Sequence, residues 1–437
     1  MNEPNINPVS TTKESFSNLG IAPKLLDILE KNKFTTPTPI QAQSISPAIE
    51  GKDLMGIAQT GTGKTLAFGI PMLQRLAQSK GQKKGLIILP TRELAMQVEV
   101  TLKKIGSSLG LKTALLIGGE SMNRQIRALR LNPNIIIATP GRLVDHLENR
   151  GISLSNVGIL VLDEADRMLD MGFAPQIRKI LDKVPRDRQT MLFSATMPDQ
   201  IVNIARSYMH LPLRVEVAPS GSVVQTVSQE LFFVARNDKL NLLETLLNKY
   251  QGSVLVFSRT KYGTKKITHS LKIMGYKAAE IHSDRSLHQR IEALEGFKIG
   301  RYRILVATDI AARGIDVSGI QVVINFDLPT TPEDYVHRIG RTGRAGMVGH
   351  AVSFATHDQR SDVHAIERLI RKSLPVTMHG TPGQTASQPQ QRPREFVSNQ
   401  RYFGSKHNSR LNKFRGRNRN SQRRSGSSSR GYFMKRG

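Results

Sequence analysis

Residues 54–65 read "LMGIAQTGTGKT". A short apolar run enters a loop with two glycines, and the loop closes on Lys-Thr before the helical pattern "LAFGIPMLQRLAQ" (66–78). Strand, glycine loop and helix in that order build a cradle for phosphates. Gly61 and Gly63 let backbone N–H groups turn inward, and the helix N-terminus adds its dipole. Lys64 reaches toward β- and γ-phosphates, while Thr65 offers a hydroxyl to a magnesium ion. Thr60 and Thr62 complete the loop. The generic pattern has Gly where Ala58 stands, but the glycines nearest the phosphates remain.

The same grammar runs outward from this loop. Strands are predicted at 54–58, 85–89, 114–118, 135–139, 158–162 and 190–194, with helical patterns such as 92–105 and 173–183 between them. It resumes with strands at 231–235, 253–257, 277–281, 303–307, 321–325 and 350–354. This is the pattern of two α/β domains, each a mainly parallel sheet covered by helices. The expected organisation is a disordered segment 1–14, a first domain 15–213, a linker 214–229, a second domain 230–373 and a disordered tail 374–437. A chain of 437 residues exceeds what one core normally serves, in keeping with that division.

Composition narrows the function classes. Apolar runs such as "LIIL" (86–89) and "IIIA" (135–138) are strand-sized, far below the roughly 20 residues of a spanning helix. The opening "MNEPNINPVSTTKES" has no basic stretch followed by an apolar one, so no secretory leader is expected. With no cysteine, disulfides, thiolate catalysis and cysteine-based zinc sites are excluded, and a cytoplasmic location is expected. The net charge is +28, of which +13 falls in the last 47 residues, where fourteen Lys/Arg face one Glu. That concentration implies a polyanionic partner, nucleic acid first. The tail interleaves its arginines with Tyr402, Phe403, Phe414, Tyr432 and Phe433, suited to phosphates and exposed bases together.

A second strand carries the acids that such a cradle needs. "ILVLDEAD" (159–166) runs four aliphatics into three carboxylates. Asp163 stands at the strand end, where it can hold magnesium largely through water. Glu164 follows, positioned to orient or deprotonate an attacking water. Asp166 is assigned to loop contacts that report the state of the site. Ser194 and Thr196, in "SATMPDQ" after another strand, present hydroxyls toward the Asp166 region or, alternatively, cap the next helix.

"AQTGTGKT" (58–65), "DEAD" (163–166) and "SAT" (194–196) together resemble the DEAD-box ATP-dependent RNA helicases. The similarity continues through "TPTPIQ" (36–41), "PTRELA" (90–95), "GG" (118–119), "TPGR" (139–142), "VFSRT" (256–260), "ATDIAARGID" (307–316) and "HRIGRTGR" (337–344). "EADRMLDMGF" and "LVATDIAARGID" look closest to the bacterial RhlE-type branch. The resemblance implies two tandem RecA-like domains, ATP and Mg²⁺ as cofactors, and RNA as partner. It implies adenine contacts from Gln41 and Phe34 supported by Phe16, a ribose contact from Asp316, and Arg341 and Arg344 reaching the γ-phosphate from the second domain. His337 would join Asp166, Ser194 and Thr196 in coupling the halves. Thr91, Arg92, Gly119, Thr139, Arg142, Arg259 and Thr308 would hold RNA phosphates and 2′-hydroxyls without reading bases.

Three departures stand out. Lys33 replaces the family's usual Gly before the aromatic, Ser283 replaces a Gly, and Leu287 replaces a Gln three residues before Arg290. The expected function is RNA-stimulated ATP hydrolysis with local unwinding. A duplex step averages about 1.4 kcal/mol in DNA, so a few kcal/mol of closure strain opens a short duplex only. An ATP-gated RNA clamp, a DNA helicase with the same core and a metabolic ATPase are the alternatives.

Overall fold

A computed structural model of the chain describes residues 15–59, 61–79, 81–149, 151–217, 227–309, 317, 319–343 and 348–377. The predicted N-terminal segment, most of the linker, most of the tail, and the site candidates Thr60, Asp316 and Arg344 lie outside the described residues.

Two all-parallel sheets carry the fold. The first contains β1 (Leu54–Ile57), β2 (Lys84–Ile88), β3 (Thr113–Leu116), β4 (Ile135–Ala138), β5 (Val157–Leu162), β6 (Gln189–Ser194) and β7 (Leu213–Glu216). Their order is β3-β4-β2-β5-β6-β1-β7. The second contains β8 (Val227–Phe233), β9 (Val254–Phe257), β10 (Ala278–Ile281), β11 (Ile304–Ala307), β12 (Val322–Asn325) and β13 (Gly349–Ala355), ordered β10-β11-β9-β12-β13-β8. Helices α1 (Pro23–Lys31), α2 (Pro39–Ile49), α3 (Lys64–Gln78), α4 (Arg92–Gly106), α5 (Met122–Arg130), α6 (Pro140–Glu148), α7 (Ala165–Asp170), α8 (Ala174–Leu181) and α9 (Asp199–Tyr208) belong to lobe 1. Lobe 2 carries α10 (Lys239–Lys249), α11 (Lys261–Ile273), α12 (Leu287–Lys298), α13 (Pro332–Ile339) and α14 (Arg360–Ile370).

Strand periodicity explains why both faces are covered. In β5, Ile159 and Val161 enter one core cluster while Leu160 and Leu162 enter the cluster on the opposite face. A strand buried on both sides must be apolar throughout, and all six β5 residues are buried. At Gly56 of β1 a Cβ would stand 2.5 Å from the Phe193 ring on β6. Glycine there lets Phe193 pack at 5.6 Å from Phe68 of α3.

Strand order places the chemistry. β5, β6 and β1 are consecutive neighbours, so the loops after them, "DEAD", "SAT" and the glycine loop, meet at one edge. The ends of β3, β4 and β2 form the other half of that edge and present "GG", "TPGR" and "PTRELA". The carboxyl edge is thereby divided into two working halves, as ligand binding outside the strand ends of open α/β sheets requires.

Three boundaries differ from the sequence reading. Residues 214–216 of the predicted linker are sheet, because β7 pairs in parallel with β1; only Val215 of that strand is buried, which left little apolar signal. Residues 227–229 likewise belong to β8. Residues 374–377 of the predicted tail stay with lobe 2: Leu374 is buried and Val376 bridges Leu231.

Lys33 explains itself in this frame. Helix α1 ends in a Schellman turn, with Phe34 N–H donating to Leu29 O at 3.0 Å and Lys33 N–H to Glu30 O at 2.8 Å. Lys33 takes the left-handed conformation, φ 62°, that this turn demands. A non-glycine residue there costs about 1–2 kcal/mol, part of which a glycine gives back as unfolded-chain entropy. Lys33→Gly therefore raises the urea midpoint, by up to about 1 kcal/mol of stability; a lowered midpoint contradicts this reading.

Candidate active site

The loop after β1 turns through left-handed backbone at Gly61 (φ 90°) and Gly63 (φ 91°). A Cβ on Gly63 would stand 2.4 Å from Gln41 Nε2 and 2.9 Å from Thr38 Oγ1, so conformation and space both require glycine. Lys64 is buried at the start of α3, donating to Ala58 O at 3.0 Å and standing 3.9 Å from Asp163 Oδ1. Thr62 Oγ1 donates to Gln59 O at 2.7 Å, and Thr65 is half-buried beside Lys64.

Gln41 was read as an adenine contact, and the structure gives it further work. Its Oε1 accepts from Thr38 N–H and its Nε2 donates to Gly63 O, each at 2.9 Å. It thus ties the start of α2 to the glycine loop, with one donor and one lone pair of the amide still uncommitted. Phe34 is half-buried against the lobe 1 core, and Phe16, 4% exposed, lies within that core.

The acids are deeply buried. Burial pushes the Asp163 carboxyl up to about 6, against the opposing pull of Lys64. Burial acts the same way on Glu164, but Arg167, Lys64 and Arg341 outweigh it and hold Glu164 at about 2. Glu164 takes a left-handed φ of 53°, a strain of about 1–3 kcal/mol that surrounding contacts must sustain. Arg167, fully buried on α7, forms the ion pair with Glu164. Sequence reasoning passed over Arg167; its spacing, three residues after Glu164 on a helix, was the available signal.

Asp166 is the hub of the adjoining network. Its N–H donates to Ser194 Oγ at 3.2 Å, while Oδ2 accepts from Ala195 N–H, Thr196 N–H and Thr196 Oγ1 at 3.0, 2.8 and 3.0 Å. The alternative role of capping α9 is not taken, since Pro198 is its N-cap residue. Asp166 and Thr196 also line a cavity of about 410 Å³ shared with Glu333, His337 and Gly340 of lobe 2.

Three residues of "HRIGRTG" (337–343) divide the labour. His337 is held neutral, down to about 4, by burial and then by Arg167 of lobe 1. Arg338 is structural: it grips both oxygens of Asp309 at 2.5 and 2.7 Å and lies over Phe257 at 4.9 Å. Arg341, 2% exposed, donates to His337 O at 3.3 Å and acts electrostatically on Glu164 across the cleft.

On the other half of the edge, Thr91 caps α4 by accepting from Leu94 N–H at 3.3 Å, and Thr139 is the N-cap residue of α6. Arg92 packs so closely on the glycine pair that a Cβ at Gly119 would stand 2.4 Å from its Nη1. Arg142 donates to Glu120 O at 2.9 Å. In lobe 2, Arg259 follows β9 and donates to Leu328 O at 3.2 Å, and Thr308 follows the neighbouring β11.

A seam joins the lobes beside this track. Arg290 Nη2 of α12 lies 3.0 Å from buried Glu93 Oε2 of α4. Leu287, 7% exposed, and Ile291 pack into the core cluster of lobe 1. The departure at Leu287 thus supplies apolar contact across the seam, and Glu93 had no local signal because its partner lies in the other lobe. Leu287→Gln places an amide in that contact at a cost of about 1–3 kcal/mol. Energy transfer between dyes on the two lobes falls in this variant without ligand, whereas Leu287→Met leaves it unchanged; equal transfer in all three proteins contradicts the seam.

A DEAD/DEAH box helicase model matches residues 38–204, and a helicase conserved C-terminal domain model matches residues 238–346. The ATP-dependent rRNA helicase RRP3 of Debaryomyces hansenii is 43% identical over 85% of this chain and 78% of its own length. The DEAD-box ATP-dependent RNA helicase CshA of Bacillus cereus is 44% identical over 82% and 69%. Among solved structures, S. cerevisiae Dbp5 bound to RNA and ADP BeF3 superposes with TM-score 0.77 at 30% identity, covering 83% of this chain and 95% of that one. Mss116p bound to ssRNA and AMP-PNP gives 0.78 at 28% identity, covering 86% and 81%. A DEAD box protein from Methanococcus jannaschii gives 0.51 despite 37% identity, covering 83% and 99%. This chain belongs to the DEAD-box ATP-dependent RNA helicases.

Proposed function

We propose that this helicase hydrolyses ATP only where its two lobes meet, and that RNA drives the meeting and is locally unwound or remodelled by it. The observation that carries the reading is geometric: Asp166 and Thr196 of lobe 1 share a cavity with Glu333, His337 and Gly340 of lobe 2, and Arg167 of lobe 1 lines a cleft with Arg341, which adds to the charges holding Glu164 ionised. The better superposition with the RNA- and nucleotide-bound neighbours than with the M. jannaschii protein supports the same lobe arrangement.

In this reading Lys64 and the loop 60–65 hold the phosphates, with Gln41, Phe34 and Phe16 on the adenine side and Asp316 on the ribose. Glu164, ionised and fixed by Arg167, accepts a hydrogen bond from the attacking water and takes its proton. Arg341, joined by Arg344, neutralises charge developing on the γ-phosphate. Asp166, Ser194, Thr196 and His337 transmit the state of that site between lobes. Thr91, Arg92, Gly119, Thr139, Arg142, Arg259 and Thr308 grip the RNA backbone.

The site fits magnesium. Thr65 and Asp163 offer hard oxygen donors, and burial has left the Asp163 carboxylate short of positive charge. Magnesium keeps several waters and takes one or two protein ligands, so the lack of any cluster of three or more acids or histidines among the described residues is no obstacle. When bound, the ion supplies charge neutralisation at the phosphates. Domain limits of 15–217 and 227–377, membership of the RhlE-type branch, a cytoplasmic location and the basic tail as an auxiliary RNA anchor complete the proposal. No described helix is long and apolar enough to cross a membrane.

Glu164→Gln keeps the side-chain shape and removes the proton acceptor. The variant retains ATP-dependent RNA binding while turnover falls by about 10²–10⁴-fold. A turnover number within a few-fold of the unaltered chain refutes the assignment of Glu164, and failure to bind RNA with ATP refutes the clamping step.

A further inference from the structure

Helix α11 begins just after Arg259, at the carboxyl end of β9. Its sequence, "KYGTKKITHSLKI", has four lysines and no acidic residue. Thr264, Ile267, Thr268 and Leu271 are buried against the sheet. The opposite stripe, Tyr262, Lys265, Lys266, His269 and Lys272, is exposed at helical spacing. Tyr262 is 70% exposed, a large ring that packs into no core. Lys261 and Lys265 hold their ammonium groups 5.3 and 5.9 Å from its ring centroid.

We propose that this face of α11 is a second RNA-binding surface, on which the strand leaving Arg259 stacks a base on Tyr262 and lays its phosphates along Lys261, Lys265, Lys266 and Lys272. The proposal rests on the reading that RNA crosses Arg259, and it extends the track along one flank of lobe 2. Chemistry selects the occupant: an open aromatic ring flanked by cations suits single-stranded nucleic acid, since every base offers a π-face and every linkage a negative charge. Among the described residues Asp284 is the one acid that engages these lysines, bonding Lys261 and Lys265 at 2.9 and 3.2 Å. It occupies the ammonium groups that a phosphate takes over when RNA arrives.

Thirteen helical residues span about 20 Å, room for about six stacked nucleotides. The test therefore compares, in the full chain, a short oligouridylate that fills the sheet edges with one about six nucleotides longer. Tyr262→Ala lowers the affinity for the long strand about tenfold, the size of one lost stack, and leaves the short strand and its ATPase stimulation unchanged. Tyr262→Phe keeps the long-strand advantage. Lys265→Glu with Lys266→Glu flattens the salt dependence for the long strand by about 0.7 for each phosphate released. Asp284→Asn tightens the long strand. The basic tail is the same in every arm, so it does not account for a changed ratio. An unchanged long-to-short ratio in Tyr262→Ala overturns the proposal and leaves the face to a protein partner. Failure of the short strand to stimulate ATP hydrolysis in the unaltered chain overturns the helicase reading and this one with it.

Discussion

Two carboxylates at the end of one strand, buried almost completely, are the constraint on which the rest of this structure depends. An ionised acid withdrawn from water costs several kcal/mol unless cations accompany it. Asp163 has Lys64 near, at 3.9 Å, and remains raised by burial. Glu164 is served by Arg167 from its own lobe and by Arg341 from the other. Charges from both lobes thus act on the same acid, with Arg167 and Lys64 of lobe 1 the larger and Arg341 of lobe 2 the addition, and that is a physical basis for coupling hydrolysis to lobe contact. The network around Asp166 and the cavity it shares with His337 lie against the same acids.

Strand order converts that local chemistry into two adjoining surfaces. Consecutive neighbours β5, β6 and β1 gather the loops proposed to hold the nucleotide, and β3, β4 and β2 gather the polar loops proposed to hold RNA. Since both surfaces hang on one rigid sheet, the approach of lobe 2 acts on both at once. Arg341 acts on the acids while Arg290 and Leu287 pack against lobe 1 beside the polar track.

Much of this was legible in the sequence, for reasons that differ by element. The parallel strands are near-continuous aliphatic runs, and the glycine loop is a local device whose spacing is its function. The acids of "DEAD" could be read because a strand end fixes where they stand. What escaped notice depends on partners distant in the chain. β7 joins the sheet only through β1, so its one buried valine looked like linker. Gln41 holds Gly63, and Glu93 meets Arg290, through contacts that no local pattern encodes. Leu287 was visible as a departure, but its burial against the opposite lobe was not. Lys33 was visible as well; the Schellman turn explains why glycine is the usual occupant.

The most direct measurement is steady-state ATP hydrolysis by the full chain carrying Arg341→Ala, with saturating RNA, beside its affinity for ATP. If the two lobes share one site, nucleotide binding persists while the rate constant falls by about three orders of magnitude or more, the worth of an arginine finger supplied by the second lobe. A rate within a few-fold of the unaltered chain would mean that Arg341 does not complete the site from the second lobe, and the account would not stand.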